Sequence, residues 1–327
     1  MKLLLELSME CESLARSEAV STVRALGGVP EVLDSDLGVM VVESKVDPRA
    51  LAGRLALCHN VDEWIGSCAP EDLESLTGEI EIPGPIKVSS TKVGIREADL
   101  TGTNRSVGAI LGRSRGVDIH NPKSEVRIVF SERVHVGRKL ASVDRASYEK
   151  RKNRYMPYVY PASLHPKFSR AAVNLTQVGD GGRLLDPFCG TGAIVGEAAL
   201  AGLKAIGTDL SDKMVEGAKK NLGHIKVDAS VLECDVGDII NVVGKVDGIA
   251  TDPPYGRSTS TRGERIPELY RRAYAAFAEV LPRGARAVAV LPNEESVESA
   301  EGFRAVESHR LWVHNSLTRH FFVLERC

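Results

Sequence analysis

From residue 183 onward the chain alternates short apolar runs with amphipathic stretches, and this alternation limits its possible folds more than any other feature. Residues 183–186, 205–209, 229–233, 248–251 and 285–291 read as strands. Residues 192–201, 212–222 and 266–280 read as the helices between them. Strands separated by helices pair in parallel, so this part is expected to form an α/β, doubly wound, mostly parallel sheet with helices on both faces. The last two strands, 308–314 and 319–325, are joined by a short turn and should pair antiparallel.

The preceding half is built differently. Residues 1–60 read as a small α+β unit. It has a strand at the LLLEL run, a helix over 13–26 closed by Gly27-Gly28, a hairpin over 31–42 and a helix over 48–57. A second unit over 61–140 has strands at 86–90 and 126–130 with a helix over 104–113 between them. Residues 119–122 read as a strand halted by Pro122, and residues 134–137 as a returning strand. Residues 144–154 are dense in basic side chains and lack an apolar periodicity, so they read as a charged linker within a basic connection over 141–158. Three prolines then resist helix over 155–166, and a helix follows over 167–177.

Charge is uneven along this frame. Residues 1–82 carry 6 Lys/Arg against 16 Asp/Glu, residues 83–154 carry 16 against 7, and residues 155–327 carry 20 against 21. A basic middle in a chain of net charge −2 is a candidate phosphate-contacting surface or a solvated face. Its candidate contacts are Arg105, Arg113, Arg115, Lys123, Arg138, Lys150, Arg151, Lys152 and Arg154. The six cysteines form no CxxC pair, which argues against a zinc site and a disulfide framework. The opening apolar run is too short for a signal peptide, and no later run suits a membrane helix. The expectation is a cytoplasmic, metal-free monomer.

Chemistry concentrates at the ends of the C-terminal strands. The first strand runs through Asp186, Pro187, Phe188 and Cys189 into Gly190-Thr191-Gly192 and then a helix, a turn that lets a ligand approach the backbone. One residue separates the glycines, so a ligand without a pyrophosphate suits it better than a dinucleotide. Asp209, before Leu210, ends the next strand and can accept ribose hydroxyls; the alternative is a helix cap. Asp235, after the third strand, can accept an adenine amino group. After the fourth strand comes Asp252-Pro253-Pro254-Tyr255-Gly256. The prolines remove two N–H donors and leave carbonyls and a carboxylate as acceptors. Two acceptors on an aromatic amine draw its nitrogen toward tetrahedral geometry and free its lone pair, while Tyr255 offers a face for base stacking.

With these motifs in view, the chain resembles the class I, Rossmann-like methyltransferases, with DPFCGTG as cofactor loop and DPPYG as amino-methyltransferase motif. The segment over 160–175, YPASLHPKFSRAAVNL, is similar to the one before the cofactor loop in archaeal tRNA guanine-N2 methyltransferases acting on position 10. It departs at Tyr160, where that family usually carries histidine. Residues 105–110, 117–122 and 134–137 resemble parts of a THUMP domain. The resemblance implies a ferredoxin-like domain over 1–60, a THUMP domain over 61–140 that binds tRNA, and a methyltransferase domain over 159–327. It also implies S-adenosylmethionine as methyl donor, with Asp186, Phe188, Gly190, Gly192, Asp209, Leu210, Asp235 and Asp252 around it. Asp252, Pro253 and Tyr255 would hold a flipped guanine. The product would be N2-methylguanosine, with a second transfer where the pocket has room. The rival readings are an acceptor-stem guanosine methyltransferase, a DNA amino-methyltransferase, and a tRNA-binding protein with a vestigial catalytic half.

Overall fold

The computed structural model describes residues 1–94, 97–161, 163–255, 263–315 and 317–327, so Ala162 and Gly256 of the motifs above lie outside the described residues. The chain divides into two compact units. One comprises residues 1–16, 28–53 and 58–143, the other residues 17–27, 54–57 and 144–327.

The first unit is a seven-stranded sheet with the order β2-β3-β1-β4-β7-β6-β5. Its elements are β1 (Lys2–Leu7), the start of α1 (Glu12–Ala25), β2 (Glu31–Asp36), β3 (Val39–Glu43), α2 (Pro48–Arg54), β4 (Cys58–Cys68), α3 (Leu73–Gly78), β5 (Ile86–Lys92), α4 (Leu100–Arg115), β6 (Ser124–Phe130) and β7 (Val134–Ser142). Every pair is antiparallel except β5 with β6, which α4 connects by a crossover. The apolar stripe of α4, with Val107 and Leu111 fully buried, packs among Ile86, Val126, Ile128 and Val136. β4 runs through the position at which the sequence divides the two N-terminal domains, and it pairs with β1 on one side and β7 on the other. Its run CHNVDEWIGSC has no clean alternation, which is why it does not read as a strand from sequence.

Two expectations in this region are corrected. Residues 119–122 are not a strand: Val117 alone bridges to Ile86. The Asp118 carboxylate accepts the N–H groups of His120 and Asn121, both at 2.9 Å, which takes the donors a ladder would need. The helix expected over 48–57 stops at Arg54, because the carboxylate of Glu18 accepts the N–H groups of Ala56 and Leu57, both at 2.8 Å.

The second unit continues with α5 (Arg145–Lys150), α6 (Pro166–Leu175), β8 (Arg183–Asp186), α7 (Ala193–Leu200), β9 (Lys204–Asp209), α8 (Asp212–His224), β10 (Ser230–Glu233), α9 (Ile239–Val242), β11 (Gly248–Thr251), α10 (Ile266–Val280), β12 (Arg286–Leu291), β13 (Phe303–His314) and β14 (Leu317–Arg326). Its sheet has the order β10-β9-β8-β11-β12-β14-β13. The first five strands are parallel and β14 is antiparallel to both neighbours, as the alternation requires. Chain order reverses direction at β8, the crevice where open α/β sheets bind ligands.

The charged-linker reading of 144–154 is also corrected. Asp144 caps α5 by accepting the N–H of Ser147, and Tyr148 is buried with its hydroxyl donating to Leu55 O at 3.0 Å. One aromatic anchor orders the segment despite its polarity.

α6 is buried along nearly its whole length and carries a polar network. Asn174, fully buried, donates to Glu18 Oε1 at 2.9 Å and to Arg54 O at 3.0 Å, and accepts from Arg54 Nε at 3.2 Å. Burial pushes the Glu18 carboxyl up to about 7, against the pull of its three N–H donors and Arg170. Asn174→Ala would strand several buried polar groups at once and is expected to cost about 3 kcal/mol, read from urea unfolding. A variant as stable as the parent would show that the network contributes nothing net.

Candidate active site

Parallel pairing places the sequence-derived acids at one edge. Asp186 ends β8, Asp209 ends β9, Asp235 follows β10 and Asp252 follows β11, four adjacent strands with their carboxyl ends aligned. The structure therefore brings all four to a common rim.

The loop after β8 is shaped by two glycines in left-handed conformations, Gly190 at φ +50° and Gly192 at φ +84°. A Cβ on Gly192 would stand 3.2 Å from Ala218 Cβ on α8, so helix and loop touch through bare backbone. Asp209 locks this loop to the next. Its Oδ2 accepts the N–H of Gly190 and its Oδ1 that of Ser211, each at 2.9 Å. Burial raises the Asp209 pKa against these bonds. Leu210 and Phe188 are both half-buried beside the rim.

Asp186 is 2% exposed and accepts from Thr251 Oγ1 at 2.7 Å and from the N–H of Phe188 at 3.2 Å. Burial pushes its carboxyl up to about 7. The two hydrogen bonds oppose that rise, and the charges of Asp252 and Asp209 add to it.

Asp252 is gripped from both sides. Tyr255 donates its hydroxyl to Oδ1, and Arg319 of β14 places Nη2 3.5 Å from Oδ2. Burial raises the Asp252 pKa, while the Arg319 charge and the Tyr255 hydroxyl pull it down. The Tyr255 hydroxyl also lies 3.3 Å from Val290 O, and Tyr270 of α10 donates to Pro254 O at 3.0 Å. Among the described residues no donor bonds the carbonyl of Pro253.

Asp235 is less open than its sequence position suggests. Arg272 of α10 clasps its carboxylate and, through Nε at 3.1 Å and Nη2 at 2.7 Å, that of Glu264 as well. Asp235 also accepts the N–H of Gly237 at 2.8 Å.

Sequence reasoning gave Thr251, at the end of β11, no role of its own, and it missed Tyr270, Arg272 and Arg319, each brought to the rim by packing between distant segments. It also missed Asn221 of α8, which bonds the backbone of Tyr158 in both directions at 2.9 Å and donates to Thr191 O at 3.0 Å. The Pro-rich segment is thereby strapped to the glycine loop. Gly217 was a readable clue, since a Cβ there would fall 2.3 Å from the Tyr158 ring.

The basic candidates divide by environment. Arg105, Arg113 and Lys123 of the first unit are exposed, as are Lys150 and Arg154 of the second. Arg115 donates to the carbonyls of Ile80 and Ile82, and Arg138 pairs with Glu63. Arg151 pairs with buried Glu197, and Lys152 with Glu149. No helix among the described residues is long and apolar enough to cross a membrane, and none of their acids, histidines or cysteines form a metal-holding group.

Comparison with known proteins agrees with this architecture. The RMKL-like methyltransferase domain family matches residues 153–320. The tRNA (guanine(10)-N2)-dimethyltransferase of Methanothermobacter thermautotrophicus is 35% identical over 340 aligned residues, covering 100% of both chains. The protein of the same name from Pyrococcus abyssi is 30% identical, covering 97% of this chain and 98% of its own. In fold, the crystal structure of TrmN from Thermus thermophilus superposes with a TM-score of 0.56 at 22% identity, covering 100% of both chains. Full-length likeness together with the domain match decides the family: the chain is a member of the tRNA (guanine(10)-N2)-methyltransferase family and carries its RMKL-like methyltransferase domain.

Proposed function

We propose that this protein transfers methyl groups from S-adenosylmethionine to the exocyclic N2 amine of guanosine at position 10 of tRNA, once and then a second time. One observation carries the chemistry: a carboxylate, Asp252, is fixed at the ligand-binding edge of the sheet beside a proline carbonyl with no donor among the described residues. The full-length relatives, named for dimethylation of guanine 10, support the position and the second transfer.

The rim fits the donor on its own terms. The bare backbone of Gly190 and Gly192 admits close approach, and Asp186 presents a buried carboxyl that a cationic ligand would hold in its ionised form. Asp186, Phe188, Gly190 and Gly192 would cradle the methionine part, Asp209 and Leu210 the ribose, and Asp235 the adenine. Asp209 keeps its backbone bonds while its remaining lone pairs accept hydroxyls. When bound, S-adenosylmethionine supplies an electrophilic methyl group on a sulfonium.

The chain's own residues prepare the nucleophile. Asp252 and the Pro253 carbonyl accept the two amine hydrogens, which localises the nitrogen lone pair. Tyr255 stacks on the base, a contact worth roughly 1–3 kcal/mol. As the N–C bond forms, the nitrogen gives up a proton and Asp252 lies in place to take it. Arg319 is a positioning residue whose charge favours the ionised form of Asp252 against the pull of burial. The target base must leave its stack, at a cost of a few kcal/mol offset by stacking and phosphate contacts. On the THUMP-like unit exposed Arg105, Arg113 and Lys123 would supply such contacts, with Arg115 and Arg138 shaping its surface; on the second unit Lys150 and Arg154 would do so, beside Arg151 and Lys152.

Incubation with S-adenosylmethionine and unmodified tRNA, followed by nuclease digestion and mass spectrometry, should give N2-methyl- and N2,N2-dimethylguanosine mapped to position 10. Asp252→Ala should abolish product, by at least about a thousandfold, at unchanged tRNA affinity. Modification of an acceptor-stem guanosine would move the position, and transfer to duplex DNA would refute the substrate.

Donor binding should depend on pH. A cation favours the ionised form of Asp186, whose carboxyl binds its proton up to about pH 7 in the free protein. Binding therefore releases a proton below that pH. Affinity should rise by up to about tenfold per pH unit toward neutrality and level off above it. Thr251→Val removes a hydrogen bond that lowers this pKa, so the plateau should begin at higher pH. A calorimetric affinity flat between pH 5 and 8 would contradict the assignment.

Arg319→Ala should lower turnover by about tenfold or more and shift the acid limb of its pH profile upward, as Asp252 holds its proton longer. Arg319→Lys should restore part of both. A rate loss with an unmoved limb would leave Arg319 a purely structural role.

A further inference from the structure

The β13–β14 hairpin outruns the sheet. β14 pairs with β12 only as far as Leu291 opposite His320, whereas the hairpin continues through Leu311 opposite Arg319, Trp312 opposite Thr318 and His314 opposite Leu317. β12 runs parallel to β11, with Thr251 opposite Ala289, so the overhang projects from the edge that carries Asp252. Arg319, its first residue on β14, is the one that pairs with Asp252.

Three features of this tip are unaccounted for by folding. Trp312 is 67% exposed, more than any other aromatic side chain among the described residues; Tyr155 follows at 54%. Leu311 beside it is 4% exposed and anchors the strand, so the pleat turns the indole to the opposite face. That face also carries Phe322, which packs in the cluster of α10, whose Tyr270 holds Pro254 of the catalytic turn. A register shift between Trp312 and His314 interrupts the ladder, the kind of bulge that re-aims side chains beside active sites. The sequence from 308 to 320, SHRLWVHNSLTRH, contains no Asp or Glu and holds two arginines and three histidines. Acids outside it do act on it, among them Asp252 beneath Arg319, Glu294 near His320 and Glu307 beside His309.

An exposed flat ring within an acid-free, cationic overhang suits a single-stranded polyanion with π-faces better than it suits an apolar protein surface. We infer that the β13–β14 tip is an RNA contact, in which the indole of Trp312 stacks on an unpaired base next to the nucleotide being modified and Arg310 meets its phosphates. This rests on the reading that the neighbouring site takes a base from RNA. Extruding one base leaves its neighbour with an unstacked face, and Trp312 offers a replacement surface. The contact would thus help hold the opened strand, while the THUMP-like unit binds the rest of the molecule.

The chain has two tryptophans, so Trp64→Phe leaves Trp312 as sole reporter in the full-length protein. Its emission should be quenched by unmodified tRNA, saturating with binding, and left unchanged by polyphosphate, a polyanion without bases. Independently, Trp312→Ala in the natural background should weaken tRNA binding by about tenfold, the equivalent of about 1.4 kcal/mol of stacking, with S-adenosylmethionine affinity unchanged. Trp312→Phe should retain most of it. Unaltered emission at saturating tRNA, or parental tRNA affinity in Trp312→Ala, would overturn the inference. So would a concentration-dependent dimer that Trp312→Ala dissolves, since the tip would then meet a second copy. Methyl transfer to guanosine in the same samples separates the two readings. Product with silent Trp312 removes the tip contact alone, whereas quenching without guanosine product supports the contact and removes the proposed substrate.

Discussion

Bringing several carboxylates to one edge of a parallel sheet is the constraint on which the second unit is organised. Parallel strands all end on the same side, so Asp186, Asp209 and Asp252 converge simply because β8, β9 and β11 are neighbours. Like charges in a low-dielectric rim repel, and the protein answers each differently. Asp186 is met by a threonine hydroxyl, Asp209 by backbone N–H groups and Asp252 by a guanidinium and a phenol. Burial raises the proton affinity of all three, and these different partners oppose that rise in different ways.

Much of this was legible before any coordinates. The strand–helix alternation announces the sheet and its ligand-binding edge, because helix and strand periods differ and each apolar run must be buried. The acids at strand ends were legible because strand ends are. What escaped is what depends on partners far apart in the chain. Arg319 lies 67 positions from Asp252, and nothing local marks it as other than a polar residue in a strand. The sequence marks Asp235 as a candidate adenine contact, yet only α10 packing shows that Arg272 joins it to Glu264.

The first unit was harder for a related reason. β4 and the region around 119–122 are decided by competition for N–H groups, not by hydrophobic pattern. An Asp118 carboxylate ends one expected strand, and a polar-looking run makes another because its neighbours on both sides need a partner. The segment over 144–154 shows the opposite error: abundant charge concealed one tyrosine with a buried ring and a backbone to hold.

The pair of hydrogen bonds that Asp209 accepts from Gly190 and Ser211 has an evolutionary corollary. Under the proposed function Asp209 both ties two loops together and faces the donor, so it cannot be relieved of one duty while keeping the other. A descendant that lost its taste for the donor would still be under pressure to retain this aspartate, since the turn beneath it would otherwise open. Persistence of the acid across a lineage is therefore weak testimony to retained activity. Drift at Arg319, whose ion pair is with Asp252, would be the earlier sign that the proposed catalysis had been abandoned.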